Sequence, residues 1–458
     1  MYLDYKEHEA GVYVIDIETD DLNATVIWVM CWRNLLTGET GELTNVEAIS
    51  EWLDERMGSY FIGHNILKFD GPVLNRLGRS SVQLDATNCI DTLVLSNLYS
   101  PSLNGGHSLD AWGERLGEPK TKFNDWSGLT QEMIDYCHQD VLVTAKLFVR
   151  LMGTLKKIGF EESSIWIQHH ITPVIEQQRK NGFRFNQQEA VFLLSRLRQK
   201  EAELTDEVRE VFPAERVHVA ERALYKKDGS HTQIYLRDRA RYFLDIDKGR
   251  GIYNAYEDVE FNLGSPKQRV DKLLSLGWEP RTFTKTGNPR PFEKGDLSPC
   301  LAEFLEKNPL PEVKLIATWM AINGRGNMVN TWLENYNEKT ECIHGKLFIA
   351  DTLRFKHQAP NTANIPAVRH NKSGETLRGM EGFFTYEARD LWVARPDRVL
   401  IGTDASGLEL RMLAHYINRP EFTEQVVDGD PHQYNADLAG VTRPEAKTLI
   451  YAILYGAG

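Results

Sequence analysis

The chain has 458 residues, 41% apolar and 26% charged, an ordinary balance for a globular protein long enough for about two to four domains. No apolar run reaches the ~18 residues a membrane span needs, and the opening MYLDYKEHEAG has neither a basic start nor an apolar segment. Membrane insertion and secretion are therefore not expected, and a cytoplasmic setting is. The five cysteines (Cys31, Cys89, Cys137, Cys300, Cys342) form no C-x-x-C pair and read as reduced thiols, not as a zinc or disulfide framework. The net charge of −12 is unevenly spread: residues 1–150 carry 23 acidic against 11 basic groups, residues 151–458 carry 42 of each. An acidic first third fits carboxylates gathered around metal ions or a solvated acidic surface.

Residues 12–17 (VYVIDI) and 26–32 (VIWVMCW) are short β-branched and aromatic runs, as in buried strands. Residues 46–57, 71–77 and 130–152 carry helical periodicity, which predicts an α/β domain ending near residue 155. A helical stretch follows over 163–211, interrupted near Gly182. Residues 213–258 read as less regular, with Gly229, Gly249, Gly251 and many charges. Helices are expected again at 265–276 and 311–335. RVLIGTD (398–404) reads as a strand ending in Asp404, and Ser406-Gly407 turns the chain into the helix LELRMLAHY. Thr442-Arg443-Pro444-Glu445 has the capping-box spacing that opens a helix.

Asp16 and Glu18 lie two apart on the first strand, so both point to one face, where they repel unless a cation sits between them. FIGHNILKFDGPVL places Asp70 after an H-N turn at the head of a helix. Tyr136 and Asp140, in Tyr-Cys-His-Gln-Asp, are four apart on one helical face. These three segments resemble the Exo I, II and III motifs of DEDD 3′–5′ exonucleases, in the variant whose third motif carries a tyrosine. Their order and spacing resemble the proofreading domain of family A (DNA polymerase I-like) DNA polymerases. The resemblance implies an RNase H-like mixed sheet flanked by helices. It makes Asp16, Glu18, Asp70 and Asp140 ligands of two Mg²⁺ or Mn²⁺ ions, with Tyr136 orienting the attacking water. His138 reads as a surface residue and Asp91 as a helix start.

RVLIGTDASGLELRMLAH (398–415) resembles motif A of the same family, closest to phage replicative enzymes. It implies that Asp404 and the Ala405 carbonyl bind the polymerase metals, again two, and that Glu409 lies beside the nucleotide sugar. Arg443, Lys447 and Tyr451, at spacings of four, resemble motif B and imply contacts to the dNTP; His432 in Gly-Asp-Pro-His would touch its triphosphate. Ser265 and Lys267 (FNLGSPKQ) resemble a thumb segment that grips primer–template DNA. Arg354 resembles a minor-groove arginine, although Leu353 stands where the family pattern has Gly, and Arg389 resembles an arginine ahead of motif A. The implied organisation is an exonuclease domain (1–158), a mainly helical thumb (159–340) with an insertion at 213–258, a partial palm (341–440) and the start of the fingers (441–458). Residues 213–258 read either as a solvated subdomain or as a seat for a processivity or replisome partner.

Two-metal phosphoryl transfer needs a second palm carboxylate, which the family supplies in motif C, and no such hairpin follows motif B here. The expectation is the N-terminal subunit of a split polymerase with its own proofreading exonuclease. It would bind primer–template DNA and a single-stranded 3′ end, and dNTP once a second polypeptide supplies motif C. The alternatives are a self-sufficient exonuclease with a vestigial polymerase region and a non-catalytic DNA-binding replication module.

Overall fold

The computed structural model describes residues 5–456 apart from 285, 294, 295, 351 and 372. It divides into two compact units, Met1–Val393 and Ala394–Gly458.

The first unit opens with a five-stranded sheet in the order β3-β2-β1-β4-β5: β1 (Val12–Thr19), β2 (Ile27–Asn34), β3 (Thr40–Leu43), β4 (Tyr60–Gly63) and β5 (Cys89–Asp91). β1, β2 and β3 pair antiparallel, while β4 and β5 run parallel to β1. Flanking helices are α1 (Val46–Asp54), α2 (Asp70–Leu77), α3 (Thr92–Tyr99), α4 (Leu109–Leu116) and α5 (Gln131–Lys157). β1 is covered on both faces, so its sequence is a nearly continuous apolar run. Val12 and Val14 join Met133, Cys137 and Val141 of α5 in one core. Ile15 and Ile17 join Ile49 and Trp52 of α1 and Val73 and Leu74 of α2 in another. Asp16 and Glu18 are the charged residues that break the apolar run. The N-caps are ordinary: Asn45 accepts from Ala48 N–H at 2.8 Å and Thr130 from Met133 N–H at 3.1 Å.

α6 (Glu162–Asn181) leans on the first of these cores through Ile165. It ends at Gly182, whose φ of 62° and near contacts explain the residue: a Cβ there would lie 2.9 Å from the Cys342 Cβ. β6 (Phe183–Arg184) then leads into α7 (Gln187–Val211), whose Leu193, Leu197, Leu204 and Val208 share a core with Ile316, Trp319, Ile322 and Val329 of the helix Pro311–Glu334.

Residues 213–258 are more regular than expected. β7 (Glu215–Ala223), α8 (Gln233–Asp238), β8 (Phe243–Asp247) and β9 (Ile252–Val259) build an antiparallel sheet in the order β7-β9-β8. Its core is small, Leu224, Tyr253 and Ala255, and the buried Asp238 carboxylate accepts from Tyr253 Oη at 2.9 Å and from Arg222. β7 is exposed along most of its length, so no buried face imprints an alternating pattern on it. α9 (Pro266–Ser275) follows.

In the second unit, the helices Leu408–Ile417, Pro420–Val427, Pro431–Ala439 and Arg443–Leu454 enclose a core of Leu410, Ala414 and Val426. The strand expected at 398–404 is not formed. The segment forms no regular element, with Val399 78% and Ile401 84% exposed. Among the described residues no strand runs beside it, so its β-branched residues have no ladder to join. No helix among the described residues is long and apolar enough to cross a membrane.

Candidate active site

Asp16 and Glu18 occupy the end of β1, on the face that carries Val12 and Val14 toward α5. β4 pairs with β1 only as far as Val14, which leaves the Ile17 N–H to donate to Asp70 Oδ1 at 3.2 Å. That bond docks the first residue of α2 against β1. α5 brings Tyr136 and Asp140 one turn apart, and between them the Cys137 thiol donates to the Asp16 carbonyl at 3.4 Å.

Glu18, Asp70 and Asp140 are 7%, 4% and 6% exposed, and Asp16 is partly buried. Burial, then mutual repulsion, favours their protonated forms. Burial followed by the charges of Asp140 and Asp70 pushes Glu18 up to about 8. Burial raises Asp70 to about 7, against two backbone N–H bonds that favour its charge. Asp140 is raised by burial to about 6, with Lys120 pulling the other way. Asp16 lies well above the carboxylate range, through burial first and then Glu18, Asp70 and Asp140. Like charges held this close without a cation are costly.

One further feature fits a divalent ion. Asp140 Oδ1 is buried and has no hydrogen-bond partner. Ligand atoms of Asp16, Glu18 and Cys137 also lie within 4.8 Å of one another. A carboxylate-dominated set suits a hard cation such as Mg²⁺ or Mn²⁺, not a thiol-seeking one.

A basic side chain, Lys120, sits among these acids and belongs to none of the motifs. Its Nζ lies 2.5 Å from Asp140 Oδ2 and 2.8 Å from Tyr136 Oη. Burial opposes its charge, but Asp140 and Tyr136 outweigh that and raise its pKa. Tyr136 packs against Phe123 and Trp126, with ring centroids 5.6 and 6.0 Å away.

Asp91 caps α3 by accepting from Leu93 N–H at 2.9 Å, and it does more. Its carboxylate also accepts from Asn65 N–H at 2.9 Å and Leu67 N–H at 3.2 Å, fixing the turn that delivers Asp70. His64 is half-buried against the Thr92 hydroxyl at 2.9 Å, and desolvation lowers its pKa to about 4. His138 is half-exposed and pairs with Glu42 at 3.1 Å.

In the second unit, Asp404 and Ala405 lie on the exposed segment ahead of Gly407, whose φ of 58° starts the Leu408–Ile417 helix. The Glu409 carboxylate accepts from Tyr455 Oη at 3.3 Å. Asp430 Oδ2 accepts from Arg443 Nε at 2.8 Å, and Oδ1 from the His432 N–H at 3.1 Å. The His432 ring lies 6.0 Å from that of Tyr451. Burial, then the charges of Arg443 and Lys447, lowers the His432 pKa. His432, Arg443, Lys447 and Tyr451 therefore share one corner of this unit. Glu445 accepts from the Thr442 N–H at 2.8 Å and its hydroxyl at 2.7 Å, which fixes the N-terminus of the Arg443–Leu454 helix.

The remaining candidates sit on separate elements. Ser265 caps α9 through Gln268 N–H at 3.3 Å, with Lys267 exposed in its first turn. Arg354 is exposed beside Leu353, and Arg389 donates to the Pro366 carbonyl at 3.3 Å.

Comparison with known proteins finds similarity to DNA polymerases. Residues 246–458 match the model of DNA polymerase family A. The DNA-directed DNA polymerase of Enterobacteria phage T3 is 29% identical, over 88% of this chain and 69% of that protein. That of Escherichia phage T7 is 29% identical, over 88% of this chain and 68% of that protein. In fold, the chain is similar to the POL domain of Pol1 from M. smegmatis, solved in complex with DNA primer-template and dNTP. There the TM-score is 0.63 at 16% identity, over 99% of this chain and 69% of that one. The family-model match is confined to residues 246–458, while the similarity to phage DNA-directed DNA polymerases runs along most of the chain.

Proposed function

We propose that the pocket at the end of β1 is a metal-dependent 3′–5′ exonuclease site and that residues 404–455 carry part of a DNA polymerase site. The observation that carries the first reading is the gathering of Asp16, Glu18, Asp70 and Asp140, with a buried Asp140 oxygen left unpaired. Bound there, a pair of Mg²⁺ or Mn²⁺ ions would activate a water and neutralise the leaving oxygen of a phosphodiester. Asp16 and Glu18 would hold these ions from the strand, Asp70 and Asp140 from the two helices. Tyr136 would orient the attacking water through its hydroxyl, which the Phe123 and Trp126 packing holds in place.

Asp16→Ala and Glu18→Ala should each lower Mg²⁺-dependent trimming of a single-stranded 3′ end by on the order of a thousandfold, the several kcal/mol that metal-borne charge stabilisation supplies. Trimming that survives in both variants excludes the exonuclease reading and leaves a DNA-binding module.

In the polymerase part, Asp404 and the Ala405 carbonyl would hold metal, Glu409 would sit at the sugar, and His432, Arg443, Lys447 and Tyr451 would receive the dNTP. Ser265, Lys267, Arg354 and Arg389 would contact primer–template DNA. The second palm carboxylate would come from a motif C segment outside these 458 residues, joined to this chain or carried by a second polypeptide. Primer extension on adding such a segment supports this reading. No complex and no extension would leave a self-sufficient exonuclease. The small sheet at 213–258 would be the seat of any processivity or replisome partner.

A further inference from the structure

The acid pocket holds an internal cation. Lys120 lies on the segment between α4 and α5, yet its side chain is only 10% exposed and its Nζ contacts Asp140 Oδ2 and Tyr136 Oη together. Its aim is built in. Gln139, the neighbour of Asp140 on α5, grips the backbone on both sides of Lys120. Its Nε2 donates to the Pro119 carbonyl at 2.6 Å, and its Oε1 accepts from Thr121 N–H at 3.0 Å and from the Thr121 hydroxyl at 2.9 Å. A Lys146–Glu118 ion pair ties the start of the same segment to α5. The ammonium also lies 4.5 Å from the centroid of the Tyr136 ring, and the Phe123–Trp126–Tyr136 cluster closes the segment further along. Asp140 is thus divided: Oδ2 is taken by Lys120 and Oδ1 is buried with no partner.

We infer that Lys120 is a positioning residue that stands in for a divalent ion: it holds Asp140 and Tyr136 in place while the pocket is empty of metal, and an incoming ion must displace it from Asp140. This rests on the exonuclease reading above. A +1 charge already seated on a ligand competes with a cation arriving at the same carboxylate, so metal binding and the Lys120–Asp140 contact are reciprocally coupled.

The test is calorimetric titration of the full chain with Mn²⁺ at pH 8, without DNA, in wild type, Lys120→Met, Asp140→Asn and the double variant. Lys120→Met should bind Mn²⁺ roughly tenfold more tightly, the size of an ordinary coupling between two sites. It should also melt at a lower temperature than wild type in EDTA and recover when Mn²⁺ is added. In the Asp140→Asn background the same change should leave Mn²⁺ affinity unaltered, because the shared carboxylate is gone; a merely structural lysine would not produce that cycle. Lys120→Gln, checked by circular dichroism, serves if the Met variant does not fold. Unchanged or weaker Mn²⁺ binding by a folded Lys120 variant overturns the inference. Failure of the wild-type chain to bind Mn²⁺, or retention of binding when Asp16 and Glu18 are both Ala, overturns the exonuclease reading itself.

Discussion

Asp91 shows how a buried acid can serve a site it never joins. It is 1% exposed and satisfies three backbone N–H groups, of Leu93, Asn65 and Leu67, two of them in the turn before Asp70. Asp91→Ala removes all three bonds and orphans the buried Leu67 N–H, and a buried unpaired donor costs about 1–3 kcal/mol, so urea unfolding should show a loss of at least about 1 kcal/mol. Leu353 makes the opposite case. Its φ of 59° is a left-handed conformation that strains an L side chain by about 1–2 kcal/mol. Leu353→Gly should therefore raise stability by about 0.5–1 kcal/mol once the entropy cost of Gly is deducted. Legibility at this scale followed local chemistry. Asp16, Glu18, Asp70, Tyr136 and Asp140 stood out because strand and helix periods place pairs of them on one face. Lys120 did not, because a loop residue has no period and its aim is set by Gln139, far from it in the chain.

At the scale of elements, β1, α2 and α5 meet where β4 stops pairing, and the meeting concentrates negative charge. In the metal-free protein the folded-state pKa values of Glu18, Asp70 and Asp140 stand at about 8, 7 and 6, above the ~4 of an unfolded chain. A raised carboxyl pKa means that the unfolded state releases its proton first. The stability these groups lend is thus complete below about pH 4 and is lost as pH climbs through 6 to 8. Melting temperature in EDTA should fall from pH 5.5 to 8.5, Mg²⁺ should restore it at pH 8.5, and Glu18→Gln should flatten the slope. A melting temperature in EDTA that rises across that range would contradict the electrostatic account. The elements themselves were legible where burial leaves a period, as in β1, α5 and α7. They were not where it does not: β7 forms a strand with little buried surface, and 398–404 has strand residues but no described neighbour to pair with.

For the whole molecule, charge is divided as function is proposed to be. The acid excess falls entirely in residues 1–150, where the carboxylate pocket lies, and the balanced remainder holds the cationic corner of Arg443 and Lys447. Lys447→Ala should weaken dNTP binding to the completed polymerase by roughly ten- to a hundredfold, the usual worth of a charge-assisted phosphate contact, while leaving 3′-end trimming unchanged. The separation is read by measuring both activities on one preparation. Residues 1–458 by themselves are expected to trim a 3′ end without extending it.

The central claim is that four carboxylates from β1, α2 and α5 cage divalent ions. Anomalous diffraction from crystals soaked in Mn²⁺ tests it most directly. The account predicts two peaks about 4 Å apart, ligated by Asp16, Glu18, Asp70 and Asp140. Manganese bound elsewhere, with these four side chains liganding none of it, would contradict it.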